Sequence, residues 1–199
     1  MVAIGLMAAA GSSQAEVSVN LGLVSEYIFR GIPQTDTSAS AGLDFEHRGF
    51  YVGTWAADVG DGLEVDGYFG YGTEVGDVSL SIGYTGYFYT GDFDDTYQEI
   101  NLSGGFSFVT LDITLGEYDN FGGEKLDYQF YSLTAEYKGF WGQYGMFDDD
   151  FDGDYFQIGY DTSVADFDVG LSLLYSDETL AGTSEEALIF SLGKTFDIN

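Results

Sequence analysis

The stretch VTLDITLG, residues 109–116, alternates apolar side chains with polar or small ones along its whole length. In an extended chain, Leu111 and Ile113 point to one side, whereas Asp112 and Thr114 point to the other. Strict alternation of this kind is typical of a β-strand with two different faces. The stretch therefore predicts a strand that separates an apolar surface from a polar one.

The same period of two recurs from Glu16 to the end of the chain and predicts an all-β protein. The predicted strands are residues 16–30, 38–47, 49–57, 63–72, 77–89, 97–106, 108–118, 127–137, 139–147, 155–162, 166–175 and 187–198. The predicted long, acidic connections are Gly31–Ala39, Asp58–Gly62, Thr90–Thr96, Asp119–Leu126, Asp148–Asp154 and Ser176–Glu186. The predicted short turns lie near Arg48, Gly76, Ser107, Lys138-Gly139 and Ser163-Val164. An even strand number with long loops on one side and short turns on the other is typical of outer-membrane barrels. We therefore expect a single closed antiparallel transmembrane β-barrel of about 12 strands in residues 16–199.

The composition excludes several classes of protein. The chain of 199 residues carries 34 acidic and five basic residues, a formal net charge of −29, which excludes nucleic acid as a partner. Its 45% hydrophobic and 18% aromatic content is too high for a disordered acidic chain. The absence of cysteine excludes disulfides, thiolate metal sites and cysteine nucleophiles.

The first residues resemble a secretory signal. Residues 1–10 are small and apolar, and Ser12–Ala15 follows with a small-residue cleavage pattern. We expect residues 1–15 to be a signal peptide whose charged n-region is missing, and the mature chain to begin near Glu16 in the bacterial envelope.

Two features favour a membrane barrel over a soluble sandwich. The predicted strands run to about ten residues, which suits a tilted crossing of a bilayer. Aromatic residues cluster near strand ends, where they are expected to anchor at the lipid–water interfaces. These clusters are Tyr27–Phe29, Phe50-Tyr51, Tyr87–Tyr89 and Phe140-Trp141. A soluble secreted β-barrel that binds an apolar ligand stays open as an alternative.

Two segments carry a family resemblance. Residues 25–35, SEYIFRGIPQT, resemble the S-[DE]-Y-[VI]-F-R-G-I-x-Q-[TS] segment of the TorF family of proteobacterial porins. Residues 49–57, GFYVGTWAA, are similar to that family's G-F-Y-[VA]-G-x-W-[AG]-[SA] segment. The resemblance implies an outer-membrane barrel with a pore, and it implies no catalytic residue and no particular solute. The last strand also resembles the closing signal read by barrel assembly machinery, although Asp197–Asn199 extends beyond the aromatic Phe196.

Charged residues on the predicted polar faces are the candidates for lining a pore. They are Glu26, Arg30, Asp44, Glu46, Glu64, Asp66, Glu99, Asp112, Glu136, Lys138, Asp161 and Asp168. Carboxylates dominate this set, so the lumen is expected to concentrate cations and repel anions. Glu26 and Arg30 share a face, where they form either a constriction field or a structural ion pair. A protein that is acidic on all surfaces is the alternative to a selective pore.

Other motifs predict no chemistry. Residues 148–154 contain the D-x-D-x-D-G start of a calcium loop, but the twelfth position is Gly159 rather than Glu. His47 is the only histidine and has no recognisable nucleophile nearby in the sequence. We therefore expect no enzyme activity, no cofactor and no bound metal, apart from loose divalent bridging to lipopolysaccharide.

The sequence thus predicts an outer-membrane porin, a passive channel for small hydrophilic solutes that prefers cations. Its expected partners are outer-membrane lipid and lipopolysaccharide, the barrel assembly machinery during insertion, and the permeating solutes or cations. The alternative is a non-channel structural or adhesive barrel with a plugged lumen.

Overall fold

The computed structural model describes residues 15–183 and 185–198. Residues 1–14, and with them almost all of the expected signal peptide, lie outside the described residues. Within those two ranges, no helix is long and apolar enough to cross a membrane.

Twelve long strands form the body of the structure. They are β1 (Glu16–Val24), β4 (Ser38–His47), β5 (Phe50–Asp58), β6 (Leu63–Val75), β7 (Val78–Thr90), β8 (Tyr97–Phe106), β9 (Val109–Tyr118), β10 (Leu126–Tyr137), β11 (Phe140–Asp149), β12 (Gly153–Val164), β13 (Phe167–Ser176) and β14 (Glu185–Ile198). Two short strands, β2 (Tyr27–Phe29) and β3 (Ile32–Thr35), pair only with each other. A 3₁₀ turn (Asn120–Gly122) and a short helix, α1 (Glu178–Ala181), lie in the connections.

The long strands form a closed antiparallel barrel in which each pairs with its neighbours in chain order. The barrel closes between β1 and β14, where Val17 pairs with Ile198 and Val24 pairs with Ser191. The predicted fold class and strand number are confirmed.

The two ends of the barrel differ. Five two-residue turns join strands at one end, which we call the turn end; it also holds the start of β1 and the end of β14. Arg48-Gly49 and Lys138-Gly139 both have positive φ, as the tight hairpin turns that match strand twist require. Longer connections lie at the other end, which we call the loop end. The last short turn is at Ala165-Asp166, two residues beyond its predicted position, because β12 continues to Val164.

The alternation places apolar side chains on the outside of the barrel. Leu111 and Leu115 on β9 are each 47% exposed, whereas Thr114 between them is 3% exposed. The same pattern holds on β13, where Leu171 and Leu173 are exposed and Ser172 is buried. The polar face therefore points inward.

The first predicted strand, residues 16–30, is wrong in its second half. Strand β1 ends at Val24, and residues 25–37 fold back as a segment that contains the β2–β3 pair. We call residues 25–37 the inner hairpin, because Ile28 is 5% exposed and packs against inward side chains of the barrel such as Tyr155 and Ile189. Glu26 and Arg30 consequently lie on this hairpin and not on a barrel strand.

Candidate functional site in the barrel lumen

The inner hairpin fills the loop half of the barrel. Inward side chains in this half are almost inaccessible to solvent, whereas those of the turn half are not. The buried polar ones are Ser38, Glu64, Asp66, Thr85, Glu99, Thr114, Ser132, Gln157, Ser172 and Ser176. The lumen is therefore sealed at the level of the hairpin and open toward the turn end.

Arg30 at the tip of the hairpin forms an ion pair with Glu99 on β8. Its two terminal nitrogens donate to the two carboxylate oxygens at 2.5 and 3.0 Å, a bidentate arrangement. Tyr87 and Tyr128 donate to the same carboxylate at 2.9 and 2.7 Å. The guanidinium also lies 4.4 Å from the ring centre of Phe130. This ion pair is thus fully hydrogen-bonded and enclosed by aromatic rings.

Apolar contacts and one hydrogen bond also hold the hairpin in the lumen. Ile28 and Ile32 pack into a cluster that includes Phe130, Tyr155 and inward residues of β13 and β14. Ser176 donates a hydrogen bond of 2.7 Å to the Gly31 carbonyl. Gly31 has a φ of +82°, and an added Cβ would lie 2.8 Å from Tyr155, so the tip requires glycine.

Two further carboxylates, Glu64 and Asp66 on β6, lie in the part of the lumen that the hairpin closes, which we call the sealed layer. Tyr27 of the hairpin and Tyr89 of β7 donate to Glu64 at 2.7 and 3.0 Å. Oδ1 of Asp66 is buried and accepts no hydrogen bond. The predicted lumen positions of Glu64, Asp66 and Glu99 are therefore inward but closed to water in this conformation, with 1% exposure each.

The turn half forms an acidic vestibule. Asp44 accepts hydrogen bonds from Asn20 and Tyr68, and Asp112 accepts one from Ser132. Asp168 accepts one from Ser163 at 2.8 Å. Strand parity also places Glu46, Glu136 and Asp161 on the inward face of this half.

Glu26 lies on the inner hairpin and outside the vestibule. It is half-buried beside Trp55 and lines a cavity of about 10 Å³.

All five basic residues belong to the described part of the chain, and two of them lie in turns at the rim of the vestibule. Arg48 and Lys138 occupy two-residue turns, and Lys194 lies 4.8 Å from the ring centre of Phe167. Lys125 in a loop pairs with Asp119 and Glu117, which raises the pKa of Lys125 above its ordinary value.

The predicted lumen position of Lys138 is wrong. Its φ of +52° places it in the turn, where its ammonium group lies 5.1 Å from the ring centre of Tyr137. Arg30 is therefore the one basic side chain that points inward among the described residues.

The predicted aromatic belts are only partly correct. Phe50, Phe88 and Phe140 are exposed on the outer face. Tyr27 and Phe29 instead lie on the inner hairpin, and Tyr87 is buried in the lumen. Tyr87 and Phe88 differ because successive side chains of a strand point to opposite faces, so a run of aromatic residues cannot face lipid as a whole.

The acidic stretch at residues 148–154 uses its carboxylates locally. Asp148 and Asp152 accept hydrogen bonds from the next backbone N–H, and Asp150 accepts one from the Asp127 N–H at 3.0 Å. Residues 15–183 and 185–198 contain no group of three or more His, Asp or Glu side chains that could hold a metal ion. His47 lies at the turn end without a hydrogen bond at Nδ1.

Three solved structures share the fold. The KdgM porin superposes with a TM-score of 0.61 at 7% identity, over 92% of this chain and 99% of that one. The NanC porin gives 0.54 at 10% identity, over 91% and 100%. An outer membrane channel from Pseudomonas putida F1 gives 0.53 at 10% identity, over 95% and 97%.

The chain belongs to the family described as "Bacterial protein of unknown function (Gcw_chp)", whose model matches residues 8–172. The comparison with curated proteins finds no match. The structural similarities, at such low identity, establish the fold alone.

Proposed function

We propose that this protein is an outer-membrane porin, a passive channel for small hydrophilic solutes that prefers cations. The observation that carries the proposal is the inner face, which combines many carboxylates with a single inward basic residue that is already neutralised by Glu99. Low-dielectric walls focus such a field, so cations should accumulate in the vestibule. The fold shared with the KdgM and NanC porins and the TorF resemblance of residues 25–35 support the porin part of this proposal.

The inner hairpin is the constriction of the proposed channel. It fills the loop half, and solutes pass only when it shifts. The shift breaks no barrel pairing, since β2 and β3 pair only with each other. It breaks the Arg30–Glu99 pair and the hydrogen bonds Tyr27–Glu64 and Ser176–Gly31, so the channel spends part of its time closed.

Single-channel recording in planar bilayers tests the proposal. We expect discrete conductance steps and, in a KCl gradient, a reversal potential that favours potassium over chloride. A folded protein that never gives steps would overturn the channel function, and a preference for chloride would overturn the electrostatic part.

Neutralising the vestibule should reduce the cation preference. In the triple variant Glu136→Gln, Asp161→Asn and Asp168→Asn, the reversal potential should move toward zero, because these carboxylates face the inner path. The matched control replaces Asp148, Asp149 and Asp150 by Asn, which removes the same charge from the exposed loop end. Salt screens exposed charges within about 8 Å, so the control should shift the reversal potential less. Equal shifts in the two variants would contradict the assignment.

The proposed location is the bacterial outer membrane, with the loop end outward and the turn end in the periplasm. The exposed outer leucines then contact lipid, and the loops contact lipopolysaccharide. Insertion would use the barrel assembly machinery.

A charge on the outer face tests the membrane location. Leu111→Arg should lower the free energy of unfolding from lipid vesicles by about 2–4 kcal/mol if this position lies near the bilayer midplane. Thr110→Arg, one residue earlier, places the same charge inward beside Gly105 and should cost much less. Comparable losses in a urea titration would contradict a lipid-facing outer surface.

The sealed layer also favours a second candidate, a non-channel structural or adhesive barrel. In that case the hairpin is a permanent plug. Conductance separates the two candidates, since only the first predicts ion flow through the folded protein. The exposed apolar outer face disfavours the soluble ligand-binding alternative, because such a face would contact water.

A further inference from the structure

The sealed layer buries more negative than positive charge. Glu64, Asp66 and Glu99 are each 1% exposed, and Arg30 is the one basic side chain that the described residues bring into the lumen. Arg30 already forms an ion pair with Glu99, to which both of its terminal nitrogens donate hydrogen bonds. Two carboxylates on β6 therefore have no basic partner.

Hydrogen bonds compensate these two carboxylates unequally. Glu64 accepts two tyrosine hydroxyls, from Tyr27 at 2.7 Å and Tyr89 at 3.0 Å. Oδ1 of Asp66 has no partner although the side chain is buried. Trp55 lies directly across from Asp66 in the β5–β6 register, and its indole N–H is also buried without a partner. A buried donor and a buried acceptor on two paired residues thus both lack a hydrogen-bond partner within the protein.

An uncompensated carboxylate in such a place is costly. The charges of Glu64 and Glu99 both act on Asp66, so repulsion adds to the loss of hydration. A bound cation or a proton would remove the charge part of this cost, since no basic side chain of the described residues other than Arg30 reaches the layer.

We propose that the lumen face of β6 binds one monovalent alkali cation between Glu64 and Asp66. The free oxygen of Asp66 is a ligand, and a water of hydration accepts the Trp55 N–H. A monovalent ion is favoured over calcium because both oxygens of Glu64 already accept tyrosine hydroxyls, which leaves one carboxylate oxygen, Oδ1 of Asp66, free to bind an ion, whereas calcium sites use several carboxylates.

The inference deepens the proposed function, since the site would be a resting place for cations in the channel. It can nevertheless be tested without ion flow. The unfolding midpoint of the wild-type protein in neutral detergent is measured in KCl and in N-methyl-D-glucamine chloride at equal ionic strength. Both salts screen the surface charge alike, but only potassium is small enough for the site. We expect a higher midpoint in KCl, rising with the logarithm of the potassium concentration, as for any ligand of the folded state.

Asp66→Asn removes the charge and keeps the shape of the side chain. In this variant the difference between the two salts should disappear, and the midpoint in N-methyl-D-glucamine should rise toward the wild-type value in KCl. Asp168→Asn, an exposed carboxylate of the vestibule, is the matched control and should keep the full difference. If Asp66→Asn does not fold, Glu64→Gln provides the second test and should reduce the difference.

Three results would overturn the site. The first is a wild-type midpoint that does not distinguish the two salts, which means that a proton neutralises Asp66. The second is a full salt difference in both Asp66→Asn and Glu64→Gln. The third is a loss of the difference in Asp168→Asn to the same extent. A silent bilayer recording together with the expected midpoints would overturn the channel function and leave the site intact.

Discussion

Replacing Arg30 by Met should lower the free energy of unfolding by about 3–5 kcal/mol, because it leaves the buried Glu99 carboxylate without its charge partner. The side chain of Glu99 is 0% exposed, so water cannot replace the guanidinium. The two tyrosine donors remain but do not supply a positive charge. Urea titration of the protein in lipid vesicles, followed by tryptophan fluorescence, measures the loss.

Two further variants separate this effect from a general loss of packing. Adding Glu99→Gln to Arg30→Met should restore a large part of the stability, since it removes the unpaired charge. Lys125→Met breaks an exposed loop ion pair with Asp119 and Glu117 and should have a much smaller effect. If Arg30→Met unfolds like the wild-type protein, the pair contributes nothing to holding the hairpin.

The barrel could be predicted from the sequence because sheet geometry imposes the period of two directly. The predicted strands 38–47 and 97–106 coincide with β4 and β8. The inward position of Asp112 follows from the same alternation. Neither result needs any knowledge of which strands meet across the lumen.

The inner hairpin could not be predicted because its apolar residues keep the parity of the preceding strand. Tyr27 and Phe29 continue the alternation of β1, so the pattern favours one long strand. One signal opposed it, because Ile28 occupies a polar position of that pattern. Apolar side chains are removed from water both in a packed lumen and in lipid, so hydrophobicity alone could not distinguish an inward residue from a lipid-facing one.

The side-chain contacts within the lumen could not be predicted from the sequence either. Arg30 and Glu99 are 69 residues apart and meet only because the hairpin folds across the closed barrel. In the sequence, Phe130 and Phe147 resemble membrane-anchoring aromatic residues, although their rings point inward. Their position depends on strand register, which the barrel fixes only when it closes.

Removing the inner hairpin should have the largest effect on conduction. A variant in which residues 26–36 are replaced by a short Gly-Ser linker keeps all twelve barrel strands, because the hairpin pairs with none of them. The lumen then loses the backbone and side chains that seal its loop half. A twelve-strand barrel lies between the filled eight-strand barrels and the open porins of 16 strands or more, so its contents decide whether it conducts. We expect a several-fold larger single-channel conductance than in the wild-type protein, with fewer closures.

The outcome also separates the two candidate functions. A wild-type protein that conducts in brief steps, together with a variant that conducts steadily, identifies the hairpin as a movable constriction. A wild-type protein that is silent, together with a conducting variant, identifies a permanent plug. The control removes the exposed residues 122–124 from the loop between β9 and β10, which lie outside the sealed layer, and it should leave the conductance unchanged. If the hairpin variant folds and conducts no better than the wild-type protein, inward side chains such as Tyr128 and Phe147 must close the lumen without the hairpin, and its role as the constriction is wrong.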